Sequence, residues 1–207
     1  VCARPASLFV IAAPSGAGKT SLVRALVGKH PDLRFSISYT TRKQRPNEKD
    51  GVDYFFVTRE KFEALKRRGE MLESATVFDN LYGTSRSQVE EYLREGQNVV
   101  LEIDWQGARQ VREAMPDCVT VFIMPPSLGE LERRLRERRT DSTEVIDRRL
   151  RDAVSDMSHW DEFDHVIIND AFDAAVAALD AVIGGHGWPT STDNPTLREA
   201  VAAIGRP

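Results

Sequence analysis

Leu8-Phe9-Val10-Ile11-Ala12-Ala13-Pro14-Ser15-Gly16-Ala17-Gly18-Lys19-Thr20-Ser21-Leu22-Val23 is the stretch on which the fold turns. Its first six residues are a continuous apolar run, the mark of a strand buried on both faces of a parallel sheet. Residues 21–27 read as a helix. Between strand and helix, residues 13–20 follow the phosphate-binding pattern Gly-x-x-x-x-Gly-Lys-Ser/Thr, with Ala13 in place of the usual first Gly. Gly16 and Gly18 let the backbone curl so that consecutive N–H groups point at a phosphate, and the helix behind them adds its positive N-terminus. Lys19 brings a point charge to the β- and γ-phosphates, and the Thr20 hydroxyl can join Mg²⁺ coordination. This is a nucleotide-binding loop, with Ala12 and Ser21 at its edges.

Outward from the loop, apolar runs recur at 98–103, 119–124 and 165–168, with helical stretches at 105–114, 128–138, 145–162 and 172–183. Leu128, Leu131 and Leu135 fall on one helix face. Strands alternating with helices define an α/β fold: a parallel sheet core flanked by helices. The segment 35–96 interrupts it with short β-like pieces (35–39, 54–57, 71–78), turn signals at Pro46-Asn47 and Asp50-Gly51, and a helix near 59–68. It is expected to be a small mixed α/β insertion able to move against a core of 6–34 and 97–183. From Gly184 to Pro207 the chain carries Gly-Gly-His-Gly and two prolines, and is expected to be a loose extension with a short helix at 196–204.

The 207 residues suit one domain of 6–183 plus that extension. Apolar residues make up 41% and charged residues 29%, which excludes a disordered chain. The 28 basic and 32 acidic side chains leave a net charge of −4, against a dedicated nucleic-acid binder. No apolar run approaches the ~20 residues of a membrane span. Two cysteines, Cys2 and Cys118, are too few for a disulfide framework. A cytoplasmic protein with no nucleic-acid or membrane partner is expected, and self-association into a homo-oligomer stays open.

Residues 35–54, Phe-Ser-Ile-Ser-Tyr-Thr-Thr-Arg-Lys-Gln-Arg-Pro-Asn-Glu-Lys-Asp-Gly-Val-Asp-Tyr, are dense in anion-binding groups. Arg42 and Arg45 can grip a dianionic phosphate with paired hydrogen bonds that lysine cannot supply. Ser38, Thr41, Arg42, Arg45, Glu48, Gly51 and Tyr54 match, spacing for spacing, the signature of the guanylate kinases, which transfer a phosphoryl group from ATP to GMP. The chain resembles that family from residue 8 to about 183, with the loop, the signature and later motifs in the family's order.

The resemblance implies an ATP site at Ala12, Ala13, Pro14, Ser15, Gly16, Ala17, Gly18, Lys19, Thr20 and Ser21. It adds lid arginines Arg134 and Arg138, and an adenine-side loop at Asn169-Asp170. It implies that Arg42, Arg45, Tyr54 and Tyr82 hold the GMP phosphate, with Glu48 and Glu102 also on the GMP side. Glu73 would read guanine, with Ser38 and Thr84 making further base contacts. A carboxylate accepts from both the ring N–H and the exocyclic amine of guanine. Adenine presents no such pair and would leave the acid buried and unpaired.

Glu102 and Asp104, at the end of a buried strand, can orient Mg²⁺ or its waters beside Thr20. The family usually has Asp at the Glu102 position. Residues 133–139 hold five arginines interleaved with acids, so some arginines are expected to pair with carboxylates. The lid implied here spans 134–150, and the family often has Gly where Arg139 stands. Lys19, Arg42, Arg138 and Arg149 are the implied catalytic set. The acceptor is an ionised phosphate, so no general base is needed, and His30, His159, His165 and His186 read as structural or surface residues. A sugar-phosphate kinase acting on ribose 1,5-bisphosphate would share the phosphate clamp but lack the guanine readers. A non-catalytic scaffold domain of guanylate-kinase type would have a degraded phosphate loop, and an ATP-binding regulatory domain has no positive sign here.

Overall fold

A computed structural model describes residues 5–77, 79–137 and 143–204. In chain order the elements are β1 (Leu8–Ala12), α1 (Lys19–Lys29), β2 (Leu33–Phe35), β3 (Tyr39–Thr40), β4 (Phe55–Phe56), α2 (Arg59–Arg67), β5 (Met71–Val77), β6 (Asn80–Ser85) and α3 (Arg86–Arg94). There follow β7 (Asn98–Glu102), α4 (Trp105–Ala114), β8 (Val119–Met124), α5 (Leu128–Glu137), α6 (Thr143–Met157), β9 (His165–Ile168), α7 (Phe172–Ile183) and α8 (Pro195–Ile204). One sheet has the order β2-β7-β1-β8-β9, with β2 parallel to β7 and β8 parallel to β9. All five residues of β1 are buried, which is why this strand is apolar throughout rather than alternating. By its contacts the chain divides into two compact units. One comprises residues up to 10 and 31–119, the other 11–30 and the residues from 120 on.

The first unit carries the second sheet, ordered β4-β3-β6-β5, in which β3 pairs parallel with β4 and antiparallel with β6. Helix α2 starts where the Thr58 hydroxyl accepts the Lys61 N–H at 3.3 Å, and it buries Phe62 and Leu65. Helix α3 is capped in the same way by Ser85. Strand β6 and helix α3 were not expected from the sequence, because 80–94 is polar and half-exposed and lacks an apolar run. The expected 35–39 piece is divided. Phe35 ends β2 in the five-stranded sheet, while Tyr39 opens β3 in the other.

In the second unit α1 buries Leu22, Val23 and Leu26, and α5 buries Leu131 and Leu135. The segment from Gly184, expected to be loose, is packed onto this unit. The Thr192 hydroxyl donates to the Phe163 carbonyl at 2.7 Å and its N–H to the Asp164 carbonyl at 3.0 Å. The Arg198 guanidinium lies 5.1 Å from the Trp160 ring centroid, and α8 buries Val201 and Ile204. Leu197, Val201 and Ile204 share one helix face, an apolar stripe that outweighs the glycines and prolines before it. Residues 205–207 lie outside the described residues.

Candidate active site

The phosphate loop belongs to the second unit. Ala12 and Pro14 are buried, Ala13 is half-buried, and the Ala17 N–H donates to the Pro14 carbonyl at 3.2 Å, closing the turn after Ser15. Gly16 and Gly18 have φ of 93° and 92°, in the left-handed region where a side chain is strained. Both are also tightly backed. A Cβ on Gly16 would stand 3.0 Å from Leu131 Cδ1 and from Leu135 Cδ2, and one on Gly18 would stand 2.5 Å from Asn169 Nδ2. Lys19 and Thr20 open α1, with Ser21 exposed beside them.

Asn169 is buried at the end of β9, and its amide donates to the Ala17 carbonyl at 2.7 Å. Its carbonyl accepts from Arg134 Nη2 at 3.0 Å, while Glu130 accepts from Arg134 Nε at 2.7 Å. Asn169, expected on the adenine side, therefore also braces the loop. A pocket of about 390 Å³ beside the loop is lined by Gly16, Gly18, Ser21, Arg134, Asn169 and Phe172, among others. Phe172 escaped the sequence reading, since an apolar residue opening a helix gives no signal of its own.

The other arginines of this region divide as their interleaved acids imply. Arg133 pairs with Glu130 and Glu137, and Arg136 with Glu132 at 2.7 Å. Hydrogen bonds from Arg133 and Arg134 hold the Glu130 carboxyl down to about 2. Arg149 is half-buried on α6. Arg138 and Arg139, with the middle of the expected lid, lie outside the described residues.

The expected acceptor residues come from the first unit. Glu48 accepts from both terminal nitrogens of Arg42, at 2.7 and 3.0 Å, and from the Arg45 N–H at 2.9 Å. Expected on the GMP side, Glu48 is here engaged in orienting the two arginines. Burial opposes the charge of Arg42, but hydrogen bonds to Glu48 and Tyr82 outweigh it and hold the guanidinium above its usual value. The guanidinium lies 5.4 Å from the Tyr54 ring centroid, and the Tyr54 and Tyr82 rings meet edge-on at 5.9 Å. Burial, then the charge of Glu102, pushes the Tyr54 phenol up to about 12. The Arg45 side chain is exposed.

Glu73 is 3% exposed, and its Oε1 accepts from the Thr84 hydroxyl at 2.7 Å. A shift of register between Met71 and Glu73 sets Glu73 opposite Thr84 rather than Gly83, so the two side chains share a face. Ser38 is buried in the same unit. Gly107, which the sequence reading passed over as a site residue, stands where a Cβ would come 2.7 Å from Glu73 Oε2. Glu102 ends β7, half-buried. Asp104 caps α4, its Oδ1 accepting the Gly107 N–H at 2.7 Å, so one oxygen expected for a metal or its waters is engaged in the helix. Among the described residues no three His, Cys, Asp or Glu side chains form a metal-binding cluster, and no helix is long and apolar enough to cross a membrane.

A glycine-bearing phosphate loop that joins a fully buried strand to helix α1 defines the chain as a P-loop nucleotide-binding protein. The family model described as guanylate kinase matches residues 5–185. A guanylate kinase of Alkalilimnicola ehrlichii is 54% identical over 197 residues, 95% of this chain and 97% of that protein. One from Pseudomonas fluorescens is 55% identical over 176 residues, 85% of each. The crystal structure of guanylate kinase from Anaplasma phagocytophilum superposes with a TM-score of 0.73 at 32% identity, covering 97% of this chain and 96% of the other. The chain belongs to the guanylate kinase family and is an ATP-dependent nucleoside monophosphate kinase.

Proposed function

We propose that the chain transfers the γ-phosphoryl group of ATP to GMP, giving ADP and GDP, with acceptor choice resting on Glu73. The observation that carries this reading is a buried carboxylate, 3% exposed, hydrogen-bonded to the Thr84 hydroxyl. Guanine offers a ring N–H and an amine to that acid, while a neighbouring hydroxyl such as Ser38 can donate to its carbonyl oxygen. A sugar phosphate offers single hydroxyls but no such adjacent pair of N–H donors. Arg42 and Arg45 would grip the GMP phosphate, with the Tyr54 and Tyr82 hydroxyls beside them.

Lys19 and the loop amides would bind the ATP phosphates, and the pocket between Arg134 and Phe172 would take the base. The acceptor phosphate is largely ionised at neutral pH, its second pKa being ~6, so no side chain need act as base. Accordingly His30, His159 and His165 are held by Asp180, Glu162 and Thr190, and belong to the framework. Charge on the transferring group would be met by Lys19, Arg42, Arg138 and Arg149.

Among the described residues, a donor set of one hydroxyl without an acidic cage suits Mg²⁺, which keeps waters and substrate phosphates as ligands. Mg²⁺ arriving with ATP would be held through Thr20 and would neutralise the phosphate oxygens. Glu102 and the remaining oxygen of Asp104 would act on its waters, or Glu102 on GMP. This reading implies work in the cytoplasm.

ADP production from ATP and Mg²⁺ against GMP, dGMP, AMP, UMP and ribose 1,5-bisphosphate tests the assignment. Turnover confined to GMP and dGMP, and lost in Glu73→Gln, is expected. Turnover on the sugar phosphate alone would overturn the guanine-reading role, and silence on every acceptor would overturn the activity.

A further inference from the structure

We infer that helix α4, through Gly107 and Gln110, positions the Glu73 carboxylate, so that these two residues set how sharply guanine is recognised. The inference rests on the proposed guanine-reading role of Glu73. Its observations concern the strand that carries that acid. Strand β5 is the edge of the β4-β3-β6-β5 sheet, so backbone groups on its outer side have no neighbouring strand. At Ser74 those groups are met by one side chain. The Ser74 N–H donates to Gln110 Oε1 at 3.0 Å, and Gln110 Nε2 donates to the Ser74 carbonyl at 2.9 Å. A carboxamide reproduces the donor and acceptor pair that a next strand would present, and it does so immediately beside Glu73.

That clasp acts one residue past the irregularity in the strand's ladder. The register shift between Met71 and Glu73 is a one-residue irregularity, and a one-residue slip sends a strand's side chains to the opposite face. With Ser74 clasped, the shift cannot migrate past it, and Glu73 stays opposite Thr84. Gly107 lies one turn before Gln110 on the same helix face. Its missing side chain is the space that the carboxylate occupies: a Cβ there would come 2.7 Å from Glu73 Oε2 and 3.2 Å from Cδ. The Gly107 N–H is in turn fixed by the Asp104 cap. Helix α4 thus bounds the acid from behind and holds its backbone from the side. Neither residue needs to touch the substrate, so both are positioning residues.

The test uses the full chain with GMP and with IMP, which lacks the exocyclic amine. Glu73 can tell these two apart only when its carboxylate is correctly placed. Gln110→Met keeps the volume of the side chain and removes both hydrogen bonds to Ser74. Its kcat/KM for GMP is expected to fall about ten-fold, as small misplacements of a recognition group do. The value for IMP should fall less, so that the GMP/IMP ratio shrinks, with KM for ATP unchanged. Gly107→Ala, a substitution the helix itself favours, should shrink the same ratio by displacing the carboxylate directly. It decides the matter alone if Gln110→Met does not fold.

A lower melting temperature with an unchanged GMP/IMP ratio in both variants would overturn the inference, leaving Gln110 as an edge cover only. An equal rise in the KM values for ATP and GMP would also overturn it. Glu73→Gln separates the two layers. If that variant leaves the ratio unchanged, the guanine-reading role fails and takes the inference with it. If it abolishes the ratio while the α4 variants keep it, the inference alone fails.

Discussion

Replacing Gly18 by Ala should cost stability through two separable effects, and the structure says how to separate them. The first is conformational. Gly18 sits at φ 92°, and a left-handed residue with a side chain costs roughly 1–2 kcal/mol. The second is a collision, since the new Cβ would lie 2.5 Å from Asn169 Nδ2. Asn169 would have to withdraw its amide from the Ala17 carbonyl, which it meets at 2.7 Å in a buried setting. A buried acceptor left unmatched costs about 1–3 kcal/mol. The single variant should therefore lose about 2–5 kcal/mol, the sum of the two ranges.

Asn169→Ala should lose about 1–3 kcal/mol by itself. In the double variant the collision is gone and only the backbone strain is added, so the losses should fall short of additivity by about 1–3 kcal/mol. Urea unfolding of the four proteins measures this coupling. KM for ATP should rise in both single variants while KM for GMP does not. Additivity within about 0.5 kcal/mol would refute the reasoning, because it would mean that Asn169 does not bear on the loop.

Lys19→Ala should abolish turnover while leaving GMP affinity intact by calorimetry; activity near that of the unmodified protein would end the phosphate role of Lys19. The Tyr54 phenol is held up to about 12, against ~10 in an unfolded chain. The folded state then keeps a proton that the unfolded state has lost, so stability present below about pH 10 should drain away towards pH 12, by roughly 3 kcal/mol. Tyr54→Phe should remove this portion of the alkaline loss, and identical pH slopes for the two proteins would count against it. Val201→Ala, in the packed C-terminal helix, should lower stability by about 2 kcal/mol. The melting temperature should fall by about 4–8 °C without change in the kinetic constants. No shift would mean that α8 does not stabilise the fold.

The parallel sheet was legible because a doubly buried strand leaves an uninterrupted apolar run, as at 8–12 and 119–124. Glycine, lysine and threonine at fixed spacing made the loop legible as well. Less legible were elements whose burial is one-sided or supplied from a distance. Strand β6, Asn-Leu-Tyr-Gly-Thr-Ser, has no apolar run and is held by its neighbours β3 and β5. The packing of residues 184–204 turned on three apolar side chains spaced along α8, which composition alone does not reveal. Side chains that act on other side chains left the faintest mark. Glu48 reads as a signature residue on the GMP side, and nothing in its spacing says that its carboxylate serves Arg42. Gln110 reads as a surface glutamine until β5 is seen to be an edge.

The leucines behind Gly16 have an electrostatic consequence. Because Leu131 Cδ1 and Leu135 Cδ2 would stand 3.0 Å from a Cβ at that position, the inner side of the phosphate loop is faced with hydrocarbon. Water and its high dielectric are kept from one side of the amides that point outward. A charge–dipole attraction screened from only one side is stronger than the same attraction in open solvent. Two leucines that never approach a phosphate thus sharpen the loop's hold on one, and polar replacements there would soften that hold without removing a single contact to the nucleotide.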